Sequence, residues 1–112
     1  MEAADGLALL SPMCTGAKVL MEGGRAVAFL PDFQFPSTGG AQQMDLLLVP
    51  FDLAGGGYKT RLLFASPPPA GSSVNWRVVG ACGRSWHAPS WQGVAETLPW
   101  DQMLAAHLRC LL

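Results

Sequence analysis

The spacing of apolar residues changes several times along this chain, and each change marks an element. Residues 2–11 place Leu7 and Leu10 three apart ahead of Pro12, which predicts a short N-terminal helix that Gly6 weakens. Lys18 to Glu22 and Arg25 to Leu30 read as short strands, and Gly23-Gly24 between them is a two-residue hairpin turn. After Pro31-Asp32-Phe33-Gln34-Phe35-Pro36 and a Ser/Thr/Gly loop, Met44 to Val49 is an almost continuous apolar run. Such a run predicts a central strand covered on both faces, closed by Pro50. Tyr58 to Ala65 is a fourth strand, ended by Pro67-Pro68-Pro69. From Ser66 to Thr97 the periodicity is poor apart from a short strand candidate at Trp76 to Val79. A long irregular stretch in a small domain points to function. Trp100, Met103, Leu104, His107, Leu108 and Leu111 then recur at helical spacing, with Thr97 as a candidate cap and Pro99 in the first turn. The expected order is helix, four-stranded antiparallel meander, long loop, helix: one small α+β domain over residues 1–112.

Composition narrows the classes of function. Half of the 112 residues are apolar, enough for a core, while 13 glycines and nine prolines favour short strands over a helix bundle. Seven basic and eight acidic residues give a net charge of −1, so no basic stripe exists to neutralise a nucleic-acid backbone. No apolar run approaches the roughly 20 residues of a membrane helix, and Glu2 and Asp5 stand where a signal peptide carries basic residues. Three widely spaced cysteines argue against a disulfide framework and for a reducing compartment, so a cytoplasmic location is expected.

The stretch Val78-Val79-Gly80-Ala81-Cys82-Gly83-Arg84-Ser85-Trp86-His87 carries the strongest chemical signal. Glycines on either side strip bulk from around Cys82, and the thiolate is the strongest nucleophile the chain offers. One reading makes Cys82 a small apolar residue closing a strand; the other makes it a nucleophile on an exposed loop. In the second, His87 is within loop reach of the sulfur, Arg84 favours the thiolate, and Asn75 either supplies an amide donor to an oxyanion or is a turn residue. Cys14 reads as a surface or edge residue, Cys110 and His107 as core-facing positions of the last helix. His107-x-x-Cys110 offers two ligands where zinc takes four, so neither a metal nor another cofactor is expected. Trp76, Trp86, Trp91 and Trp100 read as packing for the long loop, or as a clamp around the thiol. Asp45 stands without a second carboxylate, and Gly55-Gly56-Gly57 lacks the lysine of a phosphate loop.

Leu30-Pro31-Asp32-Phe33-Gln34-Phe35-Pro36, Asp45-Leu46-Leu47-Leu48-Val49-Pro50 and Gly83-Arg84-Ser85-Trp86, together with the order of elements, resemble ubiquitin-conjugating enzymes. The likeness is to the small bacterial branch, prokaryotic family E, found in antiphage operons beside ubiquitin-like proteins and activating enzymes. It implies a ubiquitin-conjugating-like fold with a long active-site loop, and Cys82 as the residue that carries a ubiquitin-like protein as a thioester. It also implies Asn75 near the position of the family's asparagine and His87 as a histidine following the cysteine. The expected partners are a ubiquitin-like protein, its activating enzyme and a protein substrate. The His-Pro-Asn tripeptide of the family is not present, since Val74 and Trp76 flank Asn75. The alternative within the same resemblance is an inactive module that binds the ubiquitin-like protein or the activating enzyme. A stand-alone cysteine hydrolase is a third class, which would need a group to orient the histidine.

Overall fold

A computed structural model of the chain describes residues 2–53, 55–69 and 74–112. Among these, helix α1 (Ala3–Leu10) precedes strands β1 (Lys18–Glu22), β2 (Arg25–Ser37), β3 (Gly40–Val49), β4 (Arg61–Phe64), β5 (Trp76–Ala81) and β6 (Arg84–Pro89). Helix α2 (Trp100–Leu108) closes the chain, with a short 3-10 turn over Arg109–Leu111. All pairings are antiparallel, in the order β1-β2-β3-β4-β6-β5.

This overturns the expected ubiquitin-conjugating-like architecture. The sheet has six strands, and the span expected as a long active-site loop holds the β5–β6 hairpin; residues 70–73 of that span lie outside the described residues. The physical reason is visible in the alternation. Val79, Ala81, Trp86 and Ala88 turn toward one core, while Val78, Gly80 and Ser85 face outward. Period two over two six-residue runs is the mark of strands, not of a loop.

The sheet is buried on both faces. Leu30, Leu46, Leu48, Leu62 and Phe64 point to the side covered by α1 and α2, where they meet Leu10, Trp100, Met103, Leu104 and Leu111. Gly6 lets the helices touch: a β-carbon there would fall within the Trp100 ring. The helix end is tied to the β2–β3 turn, since the Thr38 N–H and hydroxyl both donate to the Leu111 carbonyl at 3.0 Å. Helix α2 begins at Trp100 with Pro99 ahead of it and no side-chain cap, so Thr97 does not serve as one. Cys14 is a second correction: it is buried in this helix-side core rather than lying at an edge.

On the opposite face Val27, Leu47, Val49 and Leu63 are covered by the β5–β6 hairpin. The hairpin joins β4 through the single bridge Phe64↔His87 and then leans across the other strands. Arg84 pairs with Asp45 of β3 at 3.1 Å, Trp86 meets Phe29 of β2 edge-on at 6.4 Å, and Cys82 reaches Glu22 at the end of β1. Trp86 is fully buried beneath it, its indole N–H donating to the Ala81 carbonyl at 3.0 Å and the Arg84 guanidinium lying 4.2 Å from its ring. The hairpin is thus a layer packed on the sheet, hinged at one edge.

Candidate functional site at the hairpin tip

Two tight turns meet at the tip of this layer. Ala81 and Arg84 are paired, leaving Cys82 and Gly83 as a two-residue loop with φ of 50° and 75°. Two successive positive φ values after an antiparallel pair define a type I′ turn, whose twist matches that of the strands. The Gly23-Gly24 turn has the same form, with φ of 58° and 80° between the paired Glu22 and Arg25. Glycine suits that geometry in both places. Cys82 does not: a β-carbon in the left-handed region costs about 1–2 kcal/mol. Only Cys82 and Asp32 take positive φ among the described non-glycine residues.

Both exceptions are held by carboxylates. Asp32 sits at the bulge between Leu30 and Phe33, and its N–H donates to Asp45 Oδ1 at 2.9 Å. That bond, reinforced by Arg84, keeps the Asp45 carboxyl below its ordinary range. The Cys82 N–H donates to Glu22 Oε1 at 2.7 Å. A charge-assisted bond of this kind contributes about 1.5–3 kcal/mol, enough to offset the backbone strain. The half-buried thiol lies 3.9 Å from the Met21 carbonyl, at one side of an open cleft of about 450 Å³ lined by Glu22, Gly80, Ala81, Gly83, Arg84 and Ser85. Burial first, and then the Glu22 carboxylate, push the thiol above its usual range, so at neutral pH it is protonated.

The other residues expected beside the sulfur lie elsewhere. Asn75 precedes β5, at the far end of the hairpin from the turn. A strand rise of about 3.3 Å per residue puts it roughly 20 Å away. There its N–H donates to the Ser90 hydroxyl at 3.0 Å. His87 pairs with Val78 and Phe64 and lies roughly 13 Å along the hairpin by the same rise. It also sits one position out of phase with Trp86. The turn brings together Cys82 and Glu22, with Arg84 on the cleft wall but committed to Asp45. Sequence reading missed Glu22 because 60 residues separate it from Cys82. The signal available was weaker: a carboxylate directly preceding a Gly-Gly turn.

The chain matches no family model, no curated protein and no solved structure. The site is therefore read from its own chemistry. A protonated thiol with no imidazole beside it among the described residues lacks the thiolate–imidazole pair on which rapid hydrolysis relies. Among the described residues no cluster of three His, Cys, Asp or Glu side chains could hold a metal ion, and no helix is long and apolar enough to cross a membrane. Cys110 is sealed in the helix-side core, where burial raises its thiol to about 11.

The strained turn gives a direct test of whether Cys82 is there for packing. Cys82→Gly relieves the left-handed strain and is expected to raise stability by about 0.5–1 kcal/mol, net of the extra chain entropy of glycine. A thermal melt checks this; a lower melting temperature would mean that contacts of the sulfur outweigh the strain.

Proposed function

We propose that the chain is a carrier that holds the C-terminus of a ubiquitin-like protein on Cys82 as a thioester and passes it to an amine of a protein substrate. The observation that carries this reading is a half-exposed cysteine kept at the apex of a type I′ turn, where its side chain is costly and glycine would serve the fold better. Strain retained at one position against a cheaper alternative is a reason to look for function there. The reading draws also on the resemblance of Gly83-Arg84-Ser85-Trp86 to the bacterial conjugating branch, and places the protein in antiphage defence. It does not draw on the sheet architecture.

The chemistry is a pair of acyl exchanges. Cys82 gives its proton to solvent base and attacks the thioester carbonyl on the activating enzyme; the new C–S bond forms as the enzyme's C–S bond breaks and its thiolate departs. An amine then attacks the Cys82 thioester, its excess proton passing to solvent base; the C–N bond forms as the Cys82 C–S bond breaks, and Cys82 leaves as thiolate. His87 and Asn75 lie too far along the hairpin to take part in this step.

The second reading is a binding module without catalysis, favoured by the protonated thiol and by the distance that separates His87 from it along the hairpin. Incubation with a ubiquitin-like protein, its activating enzyme and ATP separates the two. The carrier gives an adduct cleaved by reducing agent in the wild type, a reductant-stable ester in Cys82→Ser and none in Cys82→Ala. An adduct retained in Cys82→Ala places the nucleophile elsewhere, and binding without any adduct leaves the module.

A further inference from the structure

We infer that Glu22 is a positioning residue for Cys82: its carboxylate fastens the tip of the β5–β6 hairpin to the end of β1 and so fixes where the thiol points and how readily it reacts. The inference deepens the carrier reading by naming what governs the same sulfur. Its ground is geometric. Among the described residues the hairpin has one backbone bridge to the sheet, Phe64↔His87, in mid-hairpin and three pairs back from the Ala81↔Arg84 pair that closes its turn. At the turn, the Cys82 N–H to Glu22 Oε1 bond of 2.7 Å is the hydrogen bond that ties the backbone of Cys82 to β1. By strand alternation Glu22 lies on the same face of β1 as Leu20, which packs into the core under the hairpin, so its side chain is directed at the hairpin and not at solvent.

The electrostatics follow from the same placement. Two charged side chains line the cleft at the turn, Glu22 from β1 and Arg84 from β6, while Arg25 at the start of β2 lines the neighbouring cleft beside Phe51. Arg84 is occupied by Asp45 at 3.1 Å, and the Arg25 guanidinium lies 4.9 Å from the Phe51 ring. Glu22 is the charge that bears on the sulfur, and it disfavours the thiolate. The same carboxylate therefore orders the turn and restrains the nucleophile. Removing the charge while keeping the acceptor separates those two effects.

Glu22→Gln and Glu22→Ala are compared with the wild type by the pH–rate profile of Cys82 alkylation with iodoacetamide, followed on the Cys82 peptide by mass spectrometry, and by hydrogen exchange of the Cys82 amide. In Glu22→Gln the amide stays protected, because the carboxamide oxygen still accepts, while the alkylation profile moves to lower pH. In Glu22→Ala the amide exchanges at least tenfold faster. Wild-type profiles and exchange rates in both variants would overturn the inference, and Glu22→Gln alone decides it if the alanine variant does not fold. Neither readout needs the ubiquitin-like protein. Failure of the wild type to become charged, with these shifts present, sinks the carrier reading and leaves the clamp; charging with an unmoved profile does the reverse.

Discussion

Trp86→Ala is expected to lower the unfolding free energy by about 3–5 kcal/mol, the range for deleting a large aromatic side chain from a packed core. Trp86 is fully buried and fills the space between the hairpin and the second face of the sheet. Three interactions depend on it: the edge-on contact with Phe29, the Arg84 guanidinium over its ring, and the indole N–H bond to the Ala81 carbonyl. Its loss leaves Val27, Leu47 and Leu63 without the ring that covers them, and the hairpin keeps the smaller Val79, Ala81 and Ala88 side chains, the Phe64↔His87 bridge and its polar ties. A typical domain is stable by about 5–15 kcal/mol, so the variant approaches the unfolding threshold. Urea denaturation measures the cost. Trp86→Phe, which keeps most of the ring volume and loses the indole N–H, serves if the alanine variant does not fold, with an expected cost of about 1–2 kcal/mol. A cost under about 1 kcal/mol for the alanine variant would mean that the hairpin does not depend on this side chain. In that case hydrogen exchange of β5 and β6 would match the wild type.

The parts of the fold visible in the sequence are those set by local rules. Gly23-Gly24 flanked by strand residues gives a type I′ turn, and the apolar run ending at Val49 gives a strand buried on both faces. The helical spacing from Trp100 puts Trp100, Met103, Leu104 and His107 in the core. The β5–β6 hairpin is harder to see because its turn is Cys-Gly, not the Asn-Gly that normally announces a type I′ turn. The glycine next to Cys82 supplies a positive φ to that turn; it does not open a loop. Once the turn is misread, the alternation of Arg84, Trp86 and Ala88 against Ser85 and His87 loses its meaning.

Contacts across the layers were not legible at all. Asp45 reads as an isolated carboxylate because Arg84, its partner, is 39 positions away and reaches it only when the hairpin folds over the sheet. The same folding-over brings Glu22 to Cys82. It also separates Cys82 from His87 and Asn75, since an extended strand spends about 3.3 Å on each residue that a compact loop could gather. The thiol reads as a candidate site from its neighbours in sequence. Its surroundings depend on long-range packing that no local pattern encodes.

Acid sensitivity is expected from a group on the other side of the sheet. His107 on α2 is 2% exposed, and burial, aided by the Arg61 guanidinium, lowers its pKa from 6.5 to about 4. Its Nε2 lies 2.8 Å from the Thr60 hydroxyl, which donates its proton to the Val94 carbonyl at 2.9 Å. A hydroxyl has one proton to give, so Nε2 carries the hydrogen and donates to Thr60, while burial keeps the ring neutral. The unfolded chain takes up a proton near pH 6.5 that the folded chain refuses until about 4. Stability is therefore level above pH 6.5 and falls as pH drops through that window, by about 3 kcal/mol in total. Asp45 acts in a separate range: its carboxyl is depressed below 3.8, so its contribution is kept through the histidine window and lost only in stronger acid. Urea titrations at intervals between pH 7.5 and 4 measure the slope. His107→Gln, which retains an amide donor for Thr60 and cannot titrate, should be almost flat over the same interval. An equal loss in the variant would assign the acid sensitivity to other groups and remove His107 as its source.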